Sequence, residues 1–287
     1  MNIVTIYEKF PTEADCIRHL EDVRWRGTPV CPYCKSTRTT AAKKEHRHHC
    51  NGCNTTFSVT VDTIFHHTHL DLQKWFLAIS LVLNAKKDMA ARQLARDLKV
   101  NKNTAWYMGM RIRNAMFEQP ELMRGIVEMD ECYIGGKPRK GTGPHKRGRG
   151  TSKVPVVGMI ERGGKIVAKP VDKSKLNQES LAKFVRETVD IDNAMLITDE
   201  YSGYLRIKTF MPHAVINHQV SYADGEIHTN SIEGFWGLLK RGIIGQYHKV
   251  SVRHLHQYLT EFCYRYNYRN NPAIFERTLA RAVGVAA

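Results

Sequence analysis

The chain has 287 residues, enough for a well-filled core and about two domains with a small appended module. Lysine and arginine total 43 against 28 aspartates and glutamates, and the net charge of +15 favours nucleic acid as partner, although an anionic membrane surface or no polyanion at all stays open. No stretch approaches the roughly 18 apolar residues of a membrane span, and residues 1–16 lack the basic start and apolar run of a secretory signal, so we expect a cytosolic protein without a membrane partner.

Four of the seven cysteines form two C-x-x-C pairs, Cys31/Cys34 and Cys50/Cys53, separated by fifteen residues. Disulfides are rare in a reducing cytosol, and this spacing is typical of a four-cysteine zinc ribbon. Four thiolates complete the tetrahedral shell of one Zn²⁺ and leave no open position, so we predict a structural zinc site. An alternative fourth ligand is one of three histidines before the second pair: His46, His48 and His49. The remaining cysteines are predicted to be small buried apolar residues: Cys16, Cys132 and Cys263.

Helical patterns follow the cysteines. Residues 70–83 are apolar on every side of a helix, which predicts a core helix. Residues 89–116 have apolar positions at helical spacing on both sides of a short break at Val100–Asn101. This pattern resembles a helix-turn-helix, whose second helix would lie in a DNA groove, and a plain antiparallel helix pair is the alternative. The residues predicted to contact bases and phosphates are Asn103, Trp106, Arg111 and Arg113.

The first candidate acid lies in a strand. Residues 125–136 alternate in the manner of a strand, and Asp130 interrupts their apolar positions. The basic, glycine-rich run 137–153 then predicts an exposed loop. Within this loop, Lys146 and Arg147 are predicted to contact DNA.

The second candidate acid ends another strand. The apolar runs 154–160 and 165–171 flank two glycines and predict a hairpin. Residues 177–189 predict a helix, and residues 194–198 predict a short buried strand that ends at Asp199. This order predicts an α/β domain with a mixed sheet and flanking helices.

The third candidate acid lies in the helical segment HTNSIEGFWGLLKRG, which Asn230 is predicted to cap. Glu233 and Lys240 are seven residues apart, two helical turns, so they share the face opposite the apolar side and can face the acids of the sheet. Trp236 is a candidate for stacking on a DNA base, but packing on the sheet is the favoured interpretation. For His228 we favour a structural hydrogen bond over contact with the scissile phosphate.

These residues resemble the DDE superfamily of insertion-sequence transposases, in particular the bacterial, ISXO-like group with an N-terminal zinc ribbon. The resemblance covers nearly the whole chain and is most detailed in HTNSIEGFW, LLKRGIIGQYHKV and EFCYRYNYRNN. It implies a ribonuclease-H-like domain in which Asp130, Asp199 and Glu233 match the three family acids and Lys240 matches the basic residue two turns on. Some members have asparagine in the third position, so Asn230 stays an alternative. We favour Glu233 because its charge neutralises a divalent ion better and its spacing fits.

The resemblance also implies the chemistry and the partners. Carboxylates suit Mg²⁺ or Mn²⁺, and two such ions about 4 Å apart clamp the attacking and leaving oxygens of a phosphodiester. Water would free a 3′ hydroxyl, which would then attack target DNA, while Lys240 and Arg241 hold phosphate. The expected partners are double-stranded DNA at the element ends and the target, and further copies of the chain in a homodimer or larger assembly. The expected location is the bacterial cytosol, at the nucleoid.

The predicted domains are a zinc ribbon region over 1–66, a helix-turn-helix-like region over 67–122 and a catalytic domain over 123–287. The last includes a C-terminal helix after Ser251 that covers the core. Two alternatives stay open: a DNA-binding regulator whose acidic domain no longer cuts, and a nuclease that cleaves without joining. The combination of the three acids with Lys240 favours catalysis.

Overall fold

The computed structural model describes residues 1–42, 45–119, 121–135, 151–216 and 227–285. They form two compact units: unit 1 contains Met1–Met116 and Tyr268–Ala287, and unit 2 contains Phe117–Asn267. The last twenty residues therefore group with the N-terminal part of the chain, whereas the sequence-based division assigned them to the catalytic domain.

Unit 1 combines helices with a small antiparallel sheet. Its strands lie in the order β1 (Thr39–Ala42), β2 (Arg47–Cys50) and β3 (Thr55–Phe57). Its helices are α1 (Ile3–Lys9), α2 (Glu13–Trp25), α3 (Leu72–Asn84), α4 (Ala91–Leu98), α5 (Lys102–Ala115) and α9 (Ile274–Ala282). A capping box begins α2: the Thr12 hydroxyl accepts the Asp15 N–H, and the Asp15 carboxylate accepts the Thr12 N–H.

The predicted core helix and helix pair are confirmed as helices. Eight of the thirteen residues of α3 are buried, which agrees with its apolar character on every side. Lys99 ends α4 in a left-handed conformation at φ 52°, and the Asn101 side chain then caps α5 by accepting the N–H of Asn103. The turn therefore lies within the predicted break.

Unit 2 is an α/β unit with a five-stranded mixed sheet. Its strands are β4 (Met123–Ile134), β5 (Val154–Glu161), β6 (Ile166–Pro170), β7 (Val189–Thr198) and β8 (His213–Val215). Its helices are α6 (Gln178–Thr188), α7 (Asn230–Gly242) and α8 (Leu255–Asn267). The strand order is β6-β5-β4-β7-β8, antiparallel from β6 to β4 and parallel from β4 to β8. The predicted α/β class with a mixed sheet and flanking helices is confirmed.

The pairing of β4 with β7 stops partway along β4, at the centre of the sheet, and this positions the acids. β4 pairs with β7 only as far as Glu128↔Ile197, whereas its pairing with β5 continues to Ile134. Among the described residues, the second half of β4 therefore has an uncovered edge beside the carboxyl end of β7, the end at which ligands bind in open α/β sheets. One face of β4 packs through Met129 in the core that includes α6, and the other face lies under α7.

Candidate active site and zinc ribbon

An open pocket of about 400 Å³ lies at the uncovered edge of β4. Its lining residues are Asp130, Glu131, Asp199, Glu233, Trp236, Gly237 and Lys240. The structure thus brings together the three acids and the lysine that the sequence analysis grouped, from the interior of β4, the residue after β7 and helix α7. Asn230, the alternative third residue, is exposed at the start of α7 and is not among the lining residues described.

Asp130 lies at the centre of the hydrogen bonds of the pocket. One of its carboxylate oxygens accepts the indole N–H of Trp236 at 3.1 Å, and the other accepts the N–H of Glu131 at 2.7 Å. Burial, and then the negative charges of Glu131 and Asp199, raise the pKa of Asp130 to about 7. The ionised form of Asp130 would be stabilised by a bound cation, and carboxylate oxygens suit Mg²⁺ and Mn²⁺.

Glu131 is a fourth acid of the pocket that the sequence analysis missed. Neighbouring strand residues point to opposite faces, so Asp130 and Glu131 were not expected to meet. At the open edge, however, one ligand oxygen each of Asp130, Glu131 and Asp199 lie within 4.8 Å of one another. The hydroxyl of buried Tyr204 donates to Glu131 at 2.7 Å, and burial raises the pKa of Tyr204, which keeps this donor protonated.

Helix α7 forms the wall of the pocket opposite strand β4 and Asp199. Glu233 and Lys240, two turns apart, both line the pocket, so the predicted common face is confirmed. One oxygen of Glu233 accepts the hydroxyl of Thr229 at 3.0 Å. The predicted cap is wrong: Asn230 is the first residue of α7 and Thr229 is its N-cap. The first N–H groups of the helix are instead accepted by a strand carboxylate, Glu128, which lies close enough to replace a local cap.

Trp236 packs on the sheet, as the favoured interpretation predicted. It is 3% exposed and lies over Gly158 of β5, which pairs directly with Asp130 of β4. A Cβ atom on Gly158 would lie 2.6 Å from Cη2 of Trp236, so glycine is what allows the indole to approach the strand. This close approach brings the indole N–H to the Asp130 carboxylate.

The four paired cysteines of unit 1 converge on one point. Their ligand sulfurs all lie within 4.8 Å of one another, with Cys31–Cys53 at 3.7 Å and Cys34–Cys50 at 3.5 Å. A zinc tetrahedron with Zn–S bonds of about 2.3 Å has S–S edges of about 3.8 Å, so the spacing fits one Zn²⁺. Backbone N–H groups of the second pair, above all that of Cys53, lower the pKa of Cys50 to about 6, which favours the thiolate that a metal needs.

The histidine alternative for the fourth ligand finds no support among the described residues. The metal-compatible group in unit 1 consists of the four cysteines. His48 is buried, its Nε2 lies 2.8 Å from Glu21, and its ring stacks on Phe57. It therefore stabilises the ribbon against α2 and does not point at the sulfurs.

The candidate DNA-contact residues of α5 differ in exposure. Asn103 and Trp106 are exposed. Arg111 donates to the carbonyls of Ile64 and His66, both at 2.7 Å, and so holds a neighbouring loop of unit 1. Arg113 is 3% exposed, so burial removes it from the proposed DNA contacts.

The buried Arg113 lies 3.5 Å from the buried Asp88, an ion pair within unit 1. Lys146 and Arg147 lie outside the described residues. Arg241 is exposed beside Lys240 on α7. His228 contacts the guanidinium of Arg162, which agrees with the structural role favoured for it.

Comparisons with known proteins agree with this architecture. Residues 122–267, half of the chain, match the ISXO2-like transposase domain, and residues 11–56 match the transposase zinc-ribbon domain. An uncharacterised protein in transposable element ISH50 of Halobacterium salinarum is 26% identical over 270 residues, which are 88% of this chain and 90% of that protein.

Two solved structures share a distant likeness. One is a Mos1 transposase paired-end complex with the left transposon end, 12% identical over 74% of this chain and 80% of that chain, with a TM-score of 0.31. The other is a mariner Mos1 paired-end complex with Mg, 12% identical over 99% of this chain and 97% of that chain, with a TM-score of 0.28. At these scores the likeness does not by itself define the fold.

The family matches, the zinc ribbon and the mixed sheet with its acidic pocket define the class of insertion-sequence transposases. The chain belongs to the family of ISXO2-like transposases with an N-terminal zinc ribbon. Within the described ranges, no helix is long and apolar enough to cross a membrane.

Proposed function

We propose that this transposase cleaves DNA at the ends of its element and joins the freed 3′ ends to target DNA, with two Mg²⁺ or Mn²⁺ ions in the acidic pocket. The observation that carries the proposal is the convergence of Asp130, Asp199 and Glu233 with Lys240 around one open pocket. Bound divalent ions would neutralise charge on the phosphodiester and activate the attacking oxygen. The side chains of this protein would bind these ions and hold the DNA phosphate.

Asp130 and Asp199 would hold the metal ions, because their oxygens already lie within 4.8 Å of each other at the open edge of β4. Glu233 would complete the oxygen ligands from α7, and its hydrogen bond with Thr229 limits its freedom of rotation. Lys240, on the same helix face, would hold the DNA phosphate beside the metals, with Arg241 as a second cation.

DNA binding is proposed for both units. The net charge of +15 favours association with the DNA backbone, and the exposed Asn103 and Trp106 of α5 are the proposed groove contacts. Lys146 and Arg147 stay proposed contacts on sequence alone. One structural Zn²⁺ would be held by the four cysteines, and a dimer or larger assembly would pair two element ends.

The test is cleavage of a labelled duplex carrying an element end, with Mg²⁺, with Mn²⁺ and with EDTA. We expect cleavage with either ion, and loss of cleavage without loss of duplex binding in Asp130→Asn and Asp199→Asn. Comparing Glu233→Gln with Asn230→Ala tests the third ligand, and the greater loss is expected for the glutamate change. Undiminished cleavage by both aspartate variants would reject the site.

A second substrate separates joining from cleavage alone. A duplex supplied with a free 3′ hydroxyl at the element end should be joined to target DNA, because only the second of the two reactions then remains. A protein that cuts the first substrate and never joins the second is a nuclease. A protein that binds both and changes neither is a DNA-binding regulator.

A further inference from the structure

Glu128 is a buried carboxylate that the proposed metal chemistry does not use. It lies on β4 two residues before Asp130, and it is 0% exposed. Burying an ionised carboxylate is costly unless hydrogen bonds and an opposite charge replace the lost water. Glu128 has such partners on both of its oxygens, and most of them come from the segment that begins α7.

One oxygen of Glu128 accepts the backbone N–H groups of Ser231 at 2.9 Å and Ile232 at 3.0 Å. The other oxygen accepts the Ser231 hydroxyl at 3.0 Å and Nε of Arg162 at 2.7 Å. The first N–H groups of a helix have no partner within the helix and carry partial positive charge, so a carboxylate stabilises them. Glu128 therefore caps α7 from a strand 103 residues earlier in the chain.

Arg162 extends this attachment to the residues before the helix. Its Nη2 donates to the backbone carbonyl of His228 at 3.0 Å and also lies 2.9 Å from Nδ1 of the His228 ring. The backbone N–H of Arg162 donates to the carbonyl of Ile126 on β4 at 3.0 Å, so this arginine is itself fixed to the sheet. Glu128 and Arg162 thus hold the first turn of α7, and the residues before it, on β4.

The attachment has a direct consequence for Glu233. Because Glu128 accepts the N–H groups of Ser231 and Ile232, the hydroxyl of the N-cap residue Thr229 does not serve as their acceptor and instead donates to Glu233. Glu233 follows Ile232, whose N–H is held by Glu128. Any displacement of this first turn therefore moves Glu233 relative to Asp130.

We propose that Glu128 is a positioning residue of the acidic pocket: it fixes the first turn of α7 on β4 and so holds Glu233 beside Asp130, without touching metal or DNA. This inference rests on the proposed function, because that function gives Glu233 its role as a metal ligand. Removing groups that orient metal ligands typically lowers metal affinity or activity roughly 10- to 100-fold.

The experiment measures Mn²⁺ binding to the zinc-loaded, DNA-free protein by calorimetry for wild type, Glu128→Gln, Glu233→Gln and the double variant. We expect Glu128→Gln to raise the Kd roughly 10-fold or more. The double variant should bind no more weakly than Glu233→Gln alone, because Glu128 acts through Glu233. The matched control is Glu179→Gln, which removes an exposed carboxylate from the first turn of α6 and should leave the Kd unchanged.

Thermal unfolding of each variant shows whether the fold persists. If Glu128→Gln does not fold, Arg162→Lys perturbs the same attachment more mildly and should still raise the Kd. A wild-type Kd in Glu128→Gln, or in Arg162→Lys when it must be used, overturns the inference alone. An added loss of affinity on top of Glu233→Gln also overturns it, because Glu128 would then act independently. Absence of Mn²⁺ binding by wild type overturns the proposed function and this role together.

Discussion

Replacing Gly158 by alanine tests the packing of α7 on the sheet. The added Cβ atom would lie 2.6 Å from Cη2 and 2.8 Å from Cζ2 of Trp236, and 3.3 Å from the carbonyl of Val167. The two ring atoms belong to a buried indole between α7 and β5, which has little room to retreat. The indole must therefore move, and its N–H bond to Asp130, 3.1 Å long, must lengthen.

The expected loss of stability follows from two opposing effects. Overpacking of a core costs about 1–3 kcal/mol. Replacing glycine by alanine restricts the unfolded chain and returns about 0.4–1 kcal/mol. The middle values of these two ranges leave a net loss of about 1.3 kcal/mol. Each kcal/mol lowers the thermal midpoint of unfolding by about 2–4 °C in a unit of this size. Cleavage should slow as well, because Asp130 loses a donor that stabilises its ionised form.

The assay is thermal and chemical unfolding of Gly158→Ala, Trp236→Phe and the double variant, together with cleavage rates. Phenylalanine lacks the outer indole ring, so the double variant should be more stable than the sum of the two single losses implies. Gly234→Ala is the control: apart from its chain neighbours and the backbone of its own helix, no heavy atom of the described residues lies within 4 Å of its added Cβ. Its helical position favours alanine by up to about 1 kcal/mol. Strictly additive losses, or a Gly158→Ala protein with wild-type stability, would refute the steric reasoning.

Three further predictions concern the metals and DNA. Cys31→Ser should reduce zinc below about one atom per chain, whereas buried Cys16→Ala should retain it, as atomic absorption measures. The pKa of Asp130, about 7, predicts that the affinity for Mn²⁺ weakens as pH falls below 7. Because the folded chain binds this proton more tightly than the unfolded chain, metal-free protein should also lose stability as pH rises from about 4 towards 7. Calorimetry across this pH range checks both predictions. Asn103→Ala should weaken binding to an element-end duplex by about 1–3 kcal/mol in fluorescence anisotropy if it contacts a base, with exposed Asn114→Ala near the end of α5 as control.

The parts of the site predicted from sequence are those that depend on local spacing. The two C-x-x-C pairs needed only their separation, and the common face of Glu233 and Lys240 followed from helical geometry. Asp130 and Asp199 were found because each interrupts or ends an apolar strand pattern. Their convergence in one pocket followed from the family resemblance, because no local rule states which strands are neighbours.

The residues that were missed depend on contacts between distant segments. Glu131 faces away from Asp130 by strand alternation, and it reaches the pocket only because β7 stops beside it. From sequence, Glu128 occupies an ordinary strand position. Its role depends on contact with the start of α7, which lies 103 residues later in the chain. Arg113 looked like a surface cation because its partner, Asp88, lies 25 residues earlier in the chain.

The cap that Glu128 provides also constrains when a working pocket can arise during synthesis. A nascent chain that ends before Ser231 already contains Asp130 and Asp199, but it lacks the N–H groups of Ser231 and Ile232, from which this carboxylate accepts hydrogen bonds. Closing a contact across 103 residues is a late, non-local event in folding. Ribosome-bound fragments that end before this segment should therefore lack a completed acidic pocket.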